Sequence, residues 1–311
     1  MSFKIKNGKI QTSLCELNVV HHCNLSCRSC SHLSERMNKY FVDPDQVLKD
    51  FSILAEYCHP QHVRLCGGEP LLHPRLLDVV DAVRDSGISE CIRVVTNGTL
   101  LHRMPDRFWQ KVDQIQISIY PTSRVTSQKI RNYRRLARKH NTGLEVRYVK
   151  RFRESFSELG TTESDLIKRI YSTCQIAHTW CCQAIFEGYI YRCSPSIMIP
   201  RLLEKQTKIT AELDGLKLEL SSTFTDDLKK FLVTKEPLKA CRYCLGTVGK
   251  RFVQAQDAYR VSIIPCSSEE LIDWKYLKYY EFVGNRQVPY LLQCIGAPVK
   301  KVLLAVRNLG R

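Results

Sequence analysis

Long apolar runs are missing from this 311-residue chain, and with them the simplest membrane readings. No stretch of eighteen or more apolar residues occurs, so no segment is expected to cross a bilayer as a helix. The opening Met-Ser-Phe-Lys-Ile-Lys-Asn-Gly also lacks the apolar centre of a secretory signal, which points to a cytoplasmic protein with reduced thiols. In such a compartment the fifteen cysteines are expected to be metal ligands and small buried apolar residues rather than disulfides. Acidic residues are scarce as well. The 47 Lys and Arg outnumber the 31 Asp and Glu, and the formal net charge of +16 implies an anionic partner. Between Gln114 and Leu144 there is no acidic residue at all, while Arg124, Lys129, Arg131, Arg134, Arg135, Arg138 and Lys139 crowd one short stretch. Aromatic residues are not interleaved there as single-strand binding requires, so a solvated helix face is expected and nucleic acid is not. Internal repeats and low-complexity segments are absent too.

What is present reads as strands alternating with helices. Residues 14 to 20 suit a first strand. Asp43-Pro44 opens a helix with Val47, Leu48, Phe51, Leu54 and Ala55 as its buried stripe. Further strands are expected at His62 to Cys66, Ile92 to Val95, Ile115 to Ile119 and Leu144 to Val149, with a helix from Pro74 to Ser86 stopping at Gly87. This spacing argues for a parallel α/β barrel or half-barrel. After a polar linker a helix follows Thr162, Glu187-Gly188 reads as a hairpin turn, and another helix lies around Thr225 to Leu232.

The chemistry concentrates in Cys23, Cys27 and Cys30, three thiols spaced C-x3-C-x2-C within eight residues at the C-terminal end of the first strand. That spacing does not suit a tetrahedral zinc site, which pairs two C-x2-C or C-x2-C/H-x3-H units. Three thiolates can hold three irons of a cubane, and the fourth iron is then an open, reactive position.

This cysteine motif resembles the signature of the radical S-adenosylmethionine (SAM) superfamily, and the resemblance extends over most of residues 14 to 150. It implies a partial (β/α)6 TIM-like barrel and a [4Fe-4S] cluster on Cys23, Cys27 and Cys30, with S-adenosylmethionine chelated to the open iron. Gly67-Gly68-Glu69-Pro70 resembles the family's GGEP motif. Its glycines are expected to let backbone carbonyls approach the ligand, and Glu69 to accept from the SAM ammonium group. Thr96, Asn97, Ser118 and Arg147 sit at the later strand ends where the family contacts ribose and carboxylate. Ser29 departs from the pattern, since an aromatic residue that contacts adenine commonly precedes the last cysteine; His32 and Tyr40 are the candidates to replace it.

The later cysteines resemble a second family feature, the SPASM or shorter twitch domain with its auxiliary [4Fe-4S] cluster. Gly188 to Cys193 matches Gly-x4-Cys and Cys241 to Cys244 matches C-x2-C, and the cysteine pairs of a full SPASM domain are missing after Cys244. The implied ligands are Cys193, Cys241 and Cys244, with the fourth either Cys174 or Cys182. The resulting division is a core barrel at 12–160, a small twitch-like α+β domain at 161–250 and a C-terminal extension at 251–311. In that extension, residues 297 to 307 read as a basic amphipathic helix, expected to dock on the barrel, with an anionic membrane surface as the alternative.

The implied activity is reductive cleavage of SAM to a 5′-deoxyadenosyl radical, followed by hydrogen abstraction from a substrate. A flavodoxin- or ferredoxin-type donor would supply the electron. About thirteen residues precede the first strand. A leader-recognition domain is therefore not expected, and the reading favours a small polar substrate, a sugar, cyclitol or nucleotide-linked molecule undergoing dehydrogenation or epimerisation. A peptide maturase and a non-catalytic zinc or nucleic-acid binder are the alternative readings.

Overall fold

The computed structural model describes residues 4–256 and 265–284. The chain opens with short strands β1 (Lys4–Lys6) and β2 (Lys9–Thr12), followed by β3 (Cys15–Val20), helix α1 (Pro44–Ala55), β4 (Cys58–Pro60) and β5 (Val63–Gly67). Helix α2 (Leu76–Asp85), β6 (Ile92–Thr96), α3 (Asp106–Lys111), β7 (Gln114–Ile119), α4 (Ser127–Lys139) and β8 (Gly143–Tyr148) complete the expected alternation. The second half contains β9 (Arg151–Arg153), α5 (Ser164–Ser172), α6 (Gln175–His178), β10 (Gln183–Phe186), β11 (Tyr189–Tyr191), α7 (Pro195–Leu203), β12 (Gly215–Lys217) and α8 (Phe224–Val233). It ends with β13 (Arg251–Val253), α9 (Ser268–Leu271) and α10 (Trp274–Gly284). The basic helix expected at 297 to 307 lies outside the described residues.

Eight strands form one open sheet in the order β12-β11-β10-β3-β5-β6-β7-β8. The six from β10 to β8 run parallel. The sixth parallel strand is not the next in sequence after β8. It is β10, which joins the opposite edge beside β3, pairing Gln183 with Cys15 and Ile185 with Leu17. The boundary expected at 160/161 therefore does not divide the sheet. The physical reason is that β10 is apolar and wholly buried, and it covers an edge of β3 that would otherwise present unpaired backbone groups. The hairpin turn stands where expected, with both Glu187 (φ 44°) and Gly188 (φ 81°) in the left-handed region that two-residue turns require. Asp50 reaches across from α1 to accept the Gly188 amide at 2.9 Å.

Alternation along the strands separates the two faces of this sheet. Leu17, Val63, Leu65, Val94, Ile115 and Ile117 pack under α1 to α4, together with Phe51, Val80, Phe108 and Tyr133 from those helices. The other face is polar: Glu16 holds Arg64 at 2.9 Å, Arg93 bonds Gln114, and Asn18 donates to Ser194 at 3.0 Å. Helix α4 buries only Ile130, Tyr133 and Ala137, a single stripe at helical spacing, and turns its arginines outward as a solvated helix face.

Candidate active site

The loop after β3 carries Cys23, Cys27 and Cys30, and three other parts of the chain fasten it. The first is the Gly-Gly turn at the end of β5. A Cβ on Gly68 would lie 1.8 Å from the His22 carbonyl oxygen, and one on Gly67 (φ 115°) would lie 2.3 Å from that of Val20. Only glycine lets the two strand ends approach this closely. The Gly68 amide donates to Val20 O at 2.6 Å and the Glu69 amide to His22 O at 3.1 Å. The glycines thus seat the cysteine loop itself, a role the sequence reading had given to ligand approach.

The second fastening is the turn after β6. Asn97 Nδ2 donates to Asn24 Oδ1 at 2.8 Å and reaches Cys23 Sγ at 3.7 Å, while Asn24 Nδ2 donates to Thr99 Oγ1. Glu69 organises this turn. Fully buried, it accepts from Thr96 Oγ1 (2.6 Å), the Asn97 amide (2.9 Å) and the Leu71 amide (3.2 Å), and burial pushes its carboxyl up to about 7. Its oxygens thus serve protein donors from the turn after β6 and from Leu71. Pro70 opens the short turn that this carboxylate caps.

The third fastening comes from 150–160 and 250–256. Gln254 Nε2 and Gln256 Nε2 donate to Cys27 Sγ at 3.3 and 3.4 Å. The Ser26 amide donates to Gln256 Oε1 at 2.8 Å and the Arg28 amide to Ala255 O at 3.1 Å. Glu154 accepts from Arg28 and from the Ser29 hydroxyl. Nothing local in the sequence marks these partners, since each contact joins residues more than a hundred positions apart.

Burial pushes Cys23 up to about 12 and Cys27 up to about 11, and raises Cys30 in the same direction. Amide donors on Cys23 (Leu25) and Cys27 pull the other way. Buried thiols with N–H donors aimed at sulfur are a donor set suited to a soft metal centre, whose binding would expel the protons. The three thiols line a cavity of about 210 Å³ with Gly67, Gly68, Thr96, Asn97 and Ser118. Glu69, Pro70 and Arg147 lie outside its lining. Arg147 is exposed, pairs with Glu145 at 2.5 Å and stands opposite Ser118 on β8. Ser29 turns away toward Glu154, and Tyr40 is taken by stacking on His21 (4.4 Å) and a bond to Glu187. The aromatic walls are instead Tyr120 and Phe152, edge to face at 5.3 Å, with His32 beside them. Tyr120 follows two residues after Ser118 at a strand end, a signal that could have marked it.

A second group of thiols assembles behind this loop. Cys174, Cys193 and Cys244 are buried and Cys241 is half-buried. Burial raises Cys241, and the neighbouring Cys244, Cys193 and Cys174 raise it further. Cys193 is raised by burial, then by Cys244 and Cys174. The buried carboxylate of Asp214 holds the turn that carries Cys241 by accepting the Lys239 and Ala240 amides. Cys182 does not join them in the same way: after burial, its largest influence is Glu16, on the polar face of the sheet. Hairpin pairing stops at Ala184 and Tyr191, so Cys182 is not a strand partner of Cys193. Arg192, 2% exposed, donates to Ala177 O at 2.9 Å but leaves Nε without a hydrogen-bond partner among the described residues. A buried cation with an unused donor beside these thiols fits an anionic metal centre.

A profile described as the Radical SAM superfamily matches residues 17–168. Residues 17–168 carry a radical SAM domain. Curated relatives include a "Probable GTP 3′,8-cyclase" of Saccharolobus solfataricus, 28% identical over 115 residues that make up 37% of each chain. Another, from Sulfurisphaera tokodaii, is 29% identical over 105 residues, 33% of each. The match thus spans only about a third of the length of these relatives. Similar solved structures include "BtrN in complex with AdoMet and 2-DOIA", at TM-score 0.42 and 15% identity over 75% of this chain and 92% of that one. "Native anSMEcpe with bound AdoMet and Cp18Cys peptide" gives 0.40 and 12% over 74% and 90%. A radical SAM domain takes a [4Fe-4S] cluster and SAM as its cofactors. Among the described residues no helix is long and apolar enough to cross a membrane.

Proposed function

We propose that this radical SAM enzyme abstracts a hydrogen atom from a small polar substrate (a sugar, a cyclitol or a nucleotide-linked molecule) and yields its dehydrogenated or epimerised product. Cys23, Cys27 and Cys30 hold the cluster, and an auxiliary [4Fe-4S] cluster is held by Cys174, Cys193, Cys241 and Cys244 within a twitch-like region at 161–250. When bound, the first cluster and SAM supply one-electron chemistry that generates the 5′-deoxyadenosyl radical.

The protein's own work is placement and exclusion. Asn97, Gln254 and Gln256 orient two of the three sulfurs through N–H donors, and Thr96, Asn97 and Ser118 offer polar contacts to SAM on the cavity wall. Tyr120 and Phe152 keep water from the reacting carbon. The observation that carries the reading is that one larger cavity reaches from the first cysteine loop, at Ser29 and Ser31, to a thiol of the second group, Cys244, with Gly246 beside it. A substrate there lies between the radical source and an electron acceptor. The curated relatives' name, Probable GTP 3′,8-cyclase, supports a nucleotide within this substrate class. The basic surplus suits a flavodoxin- or ferredoxin-type electron donor in a reducing, cytoplasmic compartment.

Anaerobic reconstitution tests the proposal. The expected result is about eight irons per chain, two Cys₄-type cubanes less one protein ligand. With dithionite, SAM is cleaved to 5′-deoxyadenosine, and deuterium passes from labelled candidate substrates into that product. A colourless zinc protein would overturn the enzyme, and about four irons would remove the auxiliary cluster.

A further inference from the structure

The larger cavity, about 470 Å³, is within the size range of about 300–1,000 Å³ typical of small-molecule sites. Ser31 and Phe152 line both it and the cluster cavity, so the two spaces adjoin. One side is the two-stranded sheet of β9 and β13, which contributes Arg151, Arg153 and Arg251. Arg153 and Arg251 are direct cross-strand partners, and like charges in that position destabilise a sheet.

Among the described residues Arg151, Arg153 and Arg251 make no salt bridge, and Glu154, the nearest acid in sequence, is held by Arg28 and Ser29. Among the described residues the Arg153 side chain donates to the Thr247 carbonyl (2.5 Å), and Arg251 donates to the Tyr276 hydroxyl (2.6 Å) and lies 4.1 Å from the centre of that ring, all neutral partners. Each guanidinium has five donors, so most of this capacity is unused. Burial and the neighbouring Arg251 lower the pKa of Arg153, the direction expected of uncompensated positive charge. The lining also includes Trp180, whose large ring is 38% exposed.

We propose that this cavity binds the anionic group of the substrate on Arg151, Arg153 and Arg251 and lays a planar ring against Trp180, so that the ligand is a phosphorylated, nucleotide-like molecule. This assignment rests on the reading of the chain as an enzyme acting on a small polar molecule, and it narrows that class. Three guanidinium groups lining one cavity match phosphate oxygens in charge and donor chemistry, and an indole face accepts any base.

The test is titration of the full-length reconstituted protein, by calorimetry and tryptophan fluorescence, with adenosine, guanosine, cytidine and uridine diphosphate. The parent nucleosides and inorganic pyrophosphate serve as comparisons. At least one diphosphate is expected to bind, more tightly than its nucleoside and than pyrophosphate, and more weakly as salt rises. Arg151→Gln and Arg251→Gln should each weaken it by about tenfold or more. Trp180→Leu should weaken the diphosphate but leave pyrophosphate unchanged. Arg153 is left intact, because its bond to Thr247 helps hold β9. Equal binding of nucleoside and diphosphate, arginine variants that bind like the parent, or no binding by any of the four would overturn the proposal. SAM cleavage by the same preparation, without added substrate, separates the two readings. Cleavage without diphosphate binding removes only the cavity assignment, whereas diphosphate binding without cleavage removes the enzymatic reading.

Discussion

Replacing Gly68 by alanine should detach the cysteine loop from the sheet. The new methyl group would begin 1.8 Å from the His22 carbonyl oxygen and 2.4 Å from its carbon, and both must retreat to about 3.4 Å for ordinary contact. These are backbone atoms of the residue just before Cys23, so no side-chain rotation relieves the clash. Separation breaks the bonds from the Gly68 amide to Val20 O and from the Glu69 amide to His22 O. Each buried amide left without its acceptor costs about 1–3 kcal/mol, so the pair costs about 2–6 kcal/mol. Against a typical total of about 5–15 kcal/mol this is severe, and at about 2–4 °C per kcal/mol it lowers the melting temperature by between about 4 and 24 °C. Thermal melts and iron content after anaerobic reconstitution read the two consequences separately. Gly284→Ala is the control, because a Cβ there meets nothing within 4 Å. If Gly68→Ala melts and loads iron as Gly284→Ala does, the close approach of β5 to the loop is not what seats the cysteines.

Three other outcomes follow from the same geometry. Cys174→Ala should lower the iron content by about four per chain while Cys182→Ala leaves it unchanged, as read by iron analysis and EPR; the reverse would make Cys182 the ligand. Gln254→Leu, which removes one N–H donor from Cys27, should make the first cluster harder to reduce. If that donor favours the reduced form by about 1 kcal/mol, the midpoint falls by roughly 40 mV in an EPR-monitored titration. His62 gives a pH effect. Burial, then Arg93 and Arg64, lower its pKa to about 4, below the ordinary 6.5 of the unfolded chain. The unfolded state therefore takes up the proton first, and stability present above pH 6.5 is lost as pH falls toward 4. Allowing for partial exposure, the loss between pH 7 and 5 is about 1 kcal/mol in urea unfolding; His62→Asn should lack that increment.

Features that depend on neighbours in sequence were legible. The strand before Cys23, the Gly-Gly turn, the Thr96-Asn97 turn and the Glu187-Gly188 hairpin each have a local steric or periodic cause. Contacts between distant residues were not. Nothing near Gln254 says that it faces Cys27, and nothing in 183–186 says that this strand will join β3 rather than begin a new sheet. The choice between Cys174 and Cys182 was open for the same reason: strand alternation placed Cys182 opposite Cys193, but pairing ends two residues short. The protein partners of Glu69 were likewise not legible from its motif. Its donors come from the turn after β6, and only the folded sheet brings that turn against it.

The fastening of Cys27 by Gln254 also bears on how the protein is made. The two residues are 227 positions apart, so the thiol emerges from the ribosome long before its amide donors exist. At about 5–20 residues per second the interval is roughly ten to forty-five seconds. During that time Cys23, Cys27 and Cys30 belong to a loop with one wall missing, open to oxidation or to capture of the wrong metal. Cluster insertion into the finished loop is therefore a late, post-synthetic event, and slower elongation would lengthen the exposure of these thiols rather than help them fold.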